Sequence, residues 1–120
     1  MLNVTMQLLL CMFFTILPGI VKSQHVEQSP PDLIKSLGDS AVLNCSHSIK
    51  DFELILWFKQ DGRRLILFGY INLNFYYPED ELKQKISFAG DGRNNATLTI
   101  NNLISADNGV YYCAARRHSV

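Results

Sequence analysis

From residue 24 onward, apolar side chains return at intervals nearer two than 3.6, and turn-forming residues interrupt them every ten or so positions. That rhythm predicts short strands, not helices. In Ser40–Ser46, Ala41, Leu43 and Cys45 share one face and Ser40, Asn44 and Ser46 the other, so Cys45 is expected to point inward. Ala96, Leu98 and Ile100 alternate with Thr97 and Thr99 in the same way. In 110–115, Tyr111 and Cys113 fall on one face, with Tyr112 and Ala114 on the other. The longest apolar stretch, Leu54–Gln60, is closed by Asp61-Gly62, a two-residue hairpin signal that makes Arg64–Tyr70 the next strand. Shorter strands are expected at His25–Ser29, at Leu33–Leu37 after Pro30-Pro31, and at Ile86–Ala89. With no solenoid repeat and no low-complexity segment, residues 24–120 read as one all-β, two-sheet sandwich.

The start of the chain has a different texture. Leu8 to Leu17 is an unbroken apolar run followed by Pro18-Gly19, with Val21 and Ser23 suited to signal peptidase. About ten residues are too few to span a bilayer, so residues 1–23 read as a secretory signal peptide; a buried N-terminal helix is the alternative. With that leader Cys11 departs, and the two remaining cysteines, Cys45 and Cys113, most simply form one bridge in an oxidising compartment. Eleven basic and eleven acidic side chains cancel, which leaves no electrostatic case for nucleic acid or an anionic membrane surface as partner.

Trp57 lies 12 residues after Cys45, and Cys113 lies 68 after it. Tyr111 precedes Cys113 by two positions, behind the turn Asp107-Asn108-Gly109. A Trp on a central strand, an inter-sheet cysteine pair and a tyrosine two residues before the second cysteine are hallmarks of immunoglobulin sandwiches; a β sandwich of another family with two chance cysteines is the alternative. The segment 24–120 resembles a variable-type immunoglobulin domain, and among these a T-cell receptor variable segment. The residues that carry the resemblance are Cys45, Trp57-Phe58-Lys59-Gln60, Leu98-Thr99-Ile100 and Asp107-Asn108-Gly109-Val110-Tyr111-Tyr112-Cys113-Ala114. Tyr77-Pro78-Glu79-Asp80 and the Ala89–Asn95 turn look more like a β chain than an α chain.

The resemblance implies a Greek-key sandwich with the Cys45–Cys113 disulfide around Trp57 and Tyr111, lacking its final strand because a separate joining segment supplies it. It implies pairing with a second T-cell receptor V chain through Leu56, Phe58, Gln60 and Tyr112. Independently, Leu54–Gln60 is apolar on both faces, so something should cover Leu56 and Phe58; the alternative cover is the neighbouring strand 65–70. By resemblance, the first recognition loop is His47, Ser48, Ile49, Lys50, Asp51, Phe52 and Glu53. The second is Ile71, Asn72, Leu73, Asn74 and Phe75, and Arg116, Arg117 and His118 begin a third. These would meet a peptide–MHC complex at the plasma membrane, with the signalling subunits of the receptor and a membrane span supplied by a constant segment. Phe52 and Phe75 either present rings to a ligand or tuck into the edge of the core. The runner-up function is a self-contained innate immunoglobulin-type cell-surface or adhesion domain, and another antigen-receptor V segment, α/δ or light chain, also remains open.

Asn95-Ala96-Thr97 is a glycosylation sequon at a strand start, whereas Asn44-Cys45-Ser46 lies inside a strand where a glycan is not expected. No enzyme, cofactor or metal is implied. His25, His47 and His118 are far apart, the cysteines are spent on a bridge, and Gly90-Asp91-Gly92 links two strands and precedes no helix.

Overall fold

The computed structural model describes residues 2–8, 26–29, 32–35 and 37–117. The apolar run beyond Leu8 with Cys11, together with His25 and His118, lies outside them. The strands are β1 (Leu2–Leu8), β2 (Val26–Ser29), β3 (Asp32–Lys35), β4 (Ala41–His47), β5 (Leu54–Asp61), β6 (Arg64–Asn72), β7 (Phe75–Pro78), β8 (Ile86–Gly90), β9 (Asn95–Ile100) and β10 (Gly109–Arg116). They form a six-stranded sheet, β3-β1-β10-β5-β6-β7, and a four-stranded sheet, β2-β4-β9-β8. Every pairing is antiparallel except β1 with β10.

The alternation read from the sequence becomes the core. Ala41, Leu43 and Cys45 of β4, Ala96, Leu98 and Ile100 of β9, Ile55 and Trp57 of β5, and Tyr111 and Cys113 of β10 are all buried. Burying these side chains between two sheets is the main stabilising contribution, on the order of 2 kcal/mol for each large residue. Cys45 and Cys113 are joined, with Cα atoms 6.3 Å apart, so the bridge ties β4 of one sheet to β10 of the other.

Three features differ from the sequence-based expectations. The second loop was expected to run through Ile71–Phe75, but β6 extends to Asn72 and a further strand, β7, begins at Phe75. Ile71 is therefore a fully buried core residue and the loop is reduced to the tip Leu73-Asn74. Phe52 is likewise in the core and is not offered to a ligand. Finally, the edge of β10 was expected to be open for want of a final strand. Here β1 lies along it, with Val4 opposite Gly109 and Leu8 opposite Cys113, and bridges to β3 on its other side.

The pairing of β5 with β6 slips by one residue. Trp57 faces Gly69 whereas Phe58 faces Leu67, so Phe68 is the extra residue of a bulge. Phe68 turns into the core and meets the Tyr111 ring edge-on, with centroids 5.7 Å apart.

Candidate recognition and pairing surfaces

The frame that holds both surfaces is built around Tyr111 and Asp107. The Tyr111 hydroxyl donates to the Asp107 carbonyl at 2.6 Å, four residues upstream. Burial, and secondarily the Asp107 carboxylate, pushes this phenol far above the ordinary tyrosine range, so it stays a proton donor. The Asp107 carboxylate accepts from the Ile104 amide at 2.8 Å and pairs with Lys85 at 2.7 Å. Lys59 lies 5.7 Å over the Tyr111 ring and donates to the Ala106 carbonyl; desolvation lowers its pKa, opposed by Asp107 and Asp61.

Gln28 was not singled out from the sequence. Its amide nitrogen donates to the Tyr111 carbonyl at 3.1 Å, and its oxygen accepts from the Cys113 amide at 3.0 Å. It thereby ties β2 of the small sheet to β10 of the large one. The available signal was that Gln28 shares a face with the buried Val26, and an inward glutamine needs partners.

The outer face of the large sheet carries the residues expected to pair. Leu56 and Phe58 on β5 and Tyr112 on β10 are half-buried, and the register sets Leu56 beside Tyr70 and Ala114, and Phe58 beside Leu67 and Tyr112. Neighbouring strands thus shield this row in part, and Leu54 at its upper end is buried. Gln60, exposed, accepts a hydrogen bond from the Tyr112 hydroxyl at 2.7 Å and donates to the Gly62 carbonyl at 3.2 Å. A cleft of about 270 Å³ lies between Tyr112 and the Gly62–Leu65 turn, where Leu65 is 48% exposed. Tyr70 and Tyr77 stack at 4.9 Å and carry the aromatic surface toward Phe75, which is 60% exposed.

The loops gather at the other end of the sandwich. Arg116 accepts at its carbonyl from the Glu53 amide (3.1 Å), and the Glu53 carbonyl accepts from the Leu73 amide (3.0 Å). The Leu73 carbonyl accepts in turn from the Gly92 amide (2.7 Å). The expected first, second and third loops are therefore stitched to one another through backbone groups, and the turn between β8 and β9 joins them. His47, expected in the first loop, is the last residue of β4 and only 8% exposed; its ring is committed to that stitching. Ser48, Lys50 and Asp51 are exposed, Ile49 and Glu53 half-buried, Asn74 exposed, and Arg117 exposed beyond β10. Asp91 grips Arg93 through two side-chain bonds of 2.9 and 2.7 Å, and that hydrogen bonding holds the carboxylate below its usual pKa. A groove of about 600 Å³ runs between the first loop and Arg93-Asn94. Asn95, at the head of β9, is exposed, whereas Asn44 sits half-buried mid-strand.

Two face-packed sheets, an inter-sheet bridge over a buried tryptophan and a tyrosine hydroxyl closing back on the chain define an immunoglobulin-type sandwich. The family model for the immunoglobulin V-set domain matches residues 28–120, and the chain belongs to that family. It is 38% identical over 57 residues to human T cell receptor alpha variable 36/delta variable 7, covering 48% of this chain and 50% of that one; this chain spans about half the length of that relative. It is 32% identical over 108 residues to the mouse Ig heavy chain V region MOPC 315, covering 83% of this chain and 77% of that one. The fold matches, with a TM-score of 0.72 and 24% identity, a chain from a solved structure concerned with T cell specificity and activation by the bacterial superantigen toxic shock syndrome toxin-1; the match covers 81% of this chain and 85% of that one. The V-set family is one of receptor and antigen-binding domains, not of enzymes. The β-chain expectation draws no support from these relatives, the T-cell receptor segment among them being of α/δ type.

Proposed function

We propose that the chain is the antigen-recognition variable domain of a T-cell receptor chain, of α/δ character in preference to β, displayed outside the cell. It pairs with a second V domain through the outer face of the large sheet and meets peptide presented by an MHC-type molecule with its loop end. The observation that carries the reading is the row Leu56, Phe58, Leu67, Tyr70 and Tyr112, an apolar strip on a solvent-facing sheet that ends in the hydrogen-bonded Gln60–Tyr112 pair. A sheet face of this kind is stable in water when a partner covers it. Gln60 keeps one amide hydrogen for a partner, since its other contacts use the oxygen and a single donor.

Sedimentation of the chain co-expressed with T-cell receptor V domains of complementary type should give a one-to-one complex. Phe58→Glu should weaken that complex about 100-fold, because it buries an unpaired carboxylate at the centre of the contact. A monodisperse monomer in every combination would end the pairing reading. The intact mass of the secreted chain tests two further assignments together: removal of residues 1–23 as a leader, which carries β1 away with it, and a single N-glycan at Asn95. A chain that keeps its first residues, or shows no glycosidase-sensitive mass, removes the corresponding assignment.

A further inference from the structure

The recognition end holds a continuous circuit of hydrogen bonds running from Ile49 to Arg116, in which the one side-chain link is an imidazole. The His47 Nε2 lies 2.8 Å from the Gly92 carbonyl, and its Nδ1 accepts from the Ile49 amide at 3.1 Å. A carbonyl only accepts, so Nε2 carries the proton and Nδ1 offers its lone pair; one neutral tautomer satisfies both bonds. Gly92 then donates to Leu73, Leu73 to Glu53, and Glu53 to Arg116. The backbone of Gly92 is wedged so closely that an added Cβ would lie 2.0 Å from the Glu53 carbonyl oxygen and 2.6 Å from that of Ile71. The His47 amide also donates to Asn94 at 2.8 Å, which seats the 91–94 turn from a second direction.

We infer that His47 and Gly92 are positioning residues that lock the first loop, the Leu73-Asn74 tip, the 91–94 turn and the base of the third loop into one pre-organised platform. His47 touches no ligand in this account; it fixes the geometry of the loops that do. Ordering loops before an encounter removes part of the entropy cost of binding, so a ligand meets a surface whose separate loops are already in mutual register. The inference rests on the recognition reading for its purpose, but the circuit itself is tested without any ligand.

The test is amide hydrogen exchange on the full chain, read residue by residue. His47→Ala should speed exchange about tenfold at Ile49, Gly92 and also Leu73, which His47 does not contact, while Leu43, Leu98 and Cys113 stay protected. Two conservative variants separate the two ring nitrogens. A glutamine reaches the Nε2 position and an asparagine oxygen the Nδ1 position. His47→Gln should therefore restore protection at Gly92 and Leu73 but not Ile49, and His47→Asn the reverse. Faster exchange confined to Ile49 in His47→Ala, or equal behaviour of the Gln and Asn variants, would overturn the proposal. These variants also decide the matter if the alanine variant fails to fold. Failure of the unmodified chain to pair with a V domain or to bind a ligand, with this exchange pattern observed, would count against the recognition reading and leave the circuit standing.

Discussion

Replacing Cys45 and Cys113 together by alanine is expected to lower the stability of the oxidised chain by about 4 kcal/mol. The bridge closes a separation of 68 residues, more than half of the chain, and constraining a loop of that length in the unfolded ensemble is worth about that much. Both sulfurs are fully buried beside Trp57, so truncation also leaves a small void in the densest layer between the sheets. Against a typical total of roughly 5–15 kcal/mol, the loss raises the unfolded fraction about a thousandfold. Urea unfolding followed by tryptophan fluorescence measures it, Trp57 being the single tryptophan and packed in the core. A midpoint unchanged between the oxidised chain and the double variant would show that the sheets are held by packing alone.

The second large effect is expected at a surface turn, where glycine substitutions are usually mild. Gly92→Ala should cost about 3 kcal/mol, because the new methyl would strike two backbone oxygens that cannot swing aside, those of Glu53 and Ile71. To make room the 91–94 turn must lift, giving up the Gly92–Leu73 and Gly92–His47 hydrogen bonds, each worth roughly 1–2 kcal/mol when buried. Gly62→Ala is the control: it meets nothing within 4 Å and suffers only from its left-handed φ of +60°, a cost of about 1 kcal/mol. Thermal unfolding of the two variants side by side should place Gly92→Ala well below Gly62→Ala. Equal melting temperatures would mean that the close approach at Gly92 is relieved elsewhere.

The strands that build the core were legible because their inward positions alternate cleanly. Ala41, Leu43 and Cys45 or Ala96, Leu98 and Ile100 leave no other arrangement for a half-buried sheet. β7 was not legible. It is an edge strand whose aromatic residues Phe75, Tyr76 and Tyr77 are all partly exposed, so neither face gives a hydrophobic rhythm. The role of Gly92 was hidden for another reason: a glycine in a polar turn looks the same whether it meets solvent or, as here, a packed backbone. His47 and Gln28 were hidden because their partners lie 45 and 83 to 85 residues away, and hydrogen bonds over such separations leave no periodic trace. The apolar row on the outer face, by contrast, announced itself through Leu56 and Phe58, side chains on the face opposite Trp57.

The extra residue at Phe68 has a consequence for how this domain can diversify. Inward and outward positions exchange phase at that point. Toward the Asn72 end, Ile71 faces the core and Tyr70 the outside; toward the Arg64 end, Leu67 and Leu65 face the outside and Phe68 alone stays in. Flattening the bulge with every residue kept would send both leucines inward, whereas deleting Phe68 would restore strict alternation with both leucines still outside and remove the ring that meets Tyr111 from the core. The bulge thus works as a phase shifter that holds positions 65 and 67 outside, away from the packing around Tyr111, which on the pairing proposed above makes those two positions the handles for redirecting assembly.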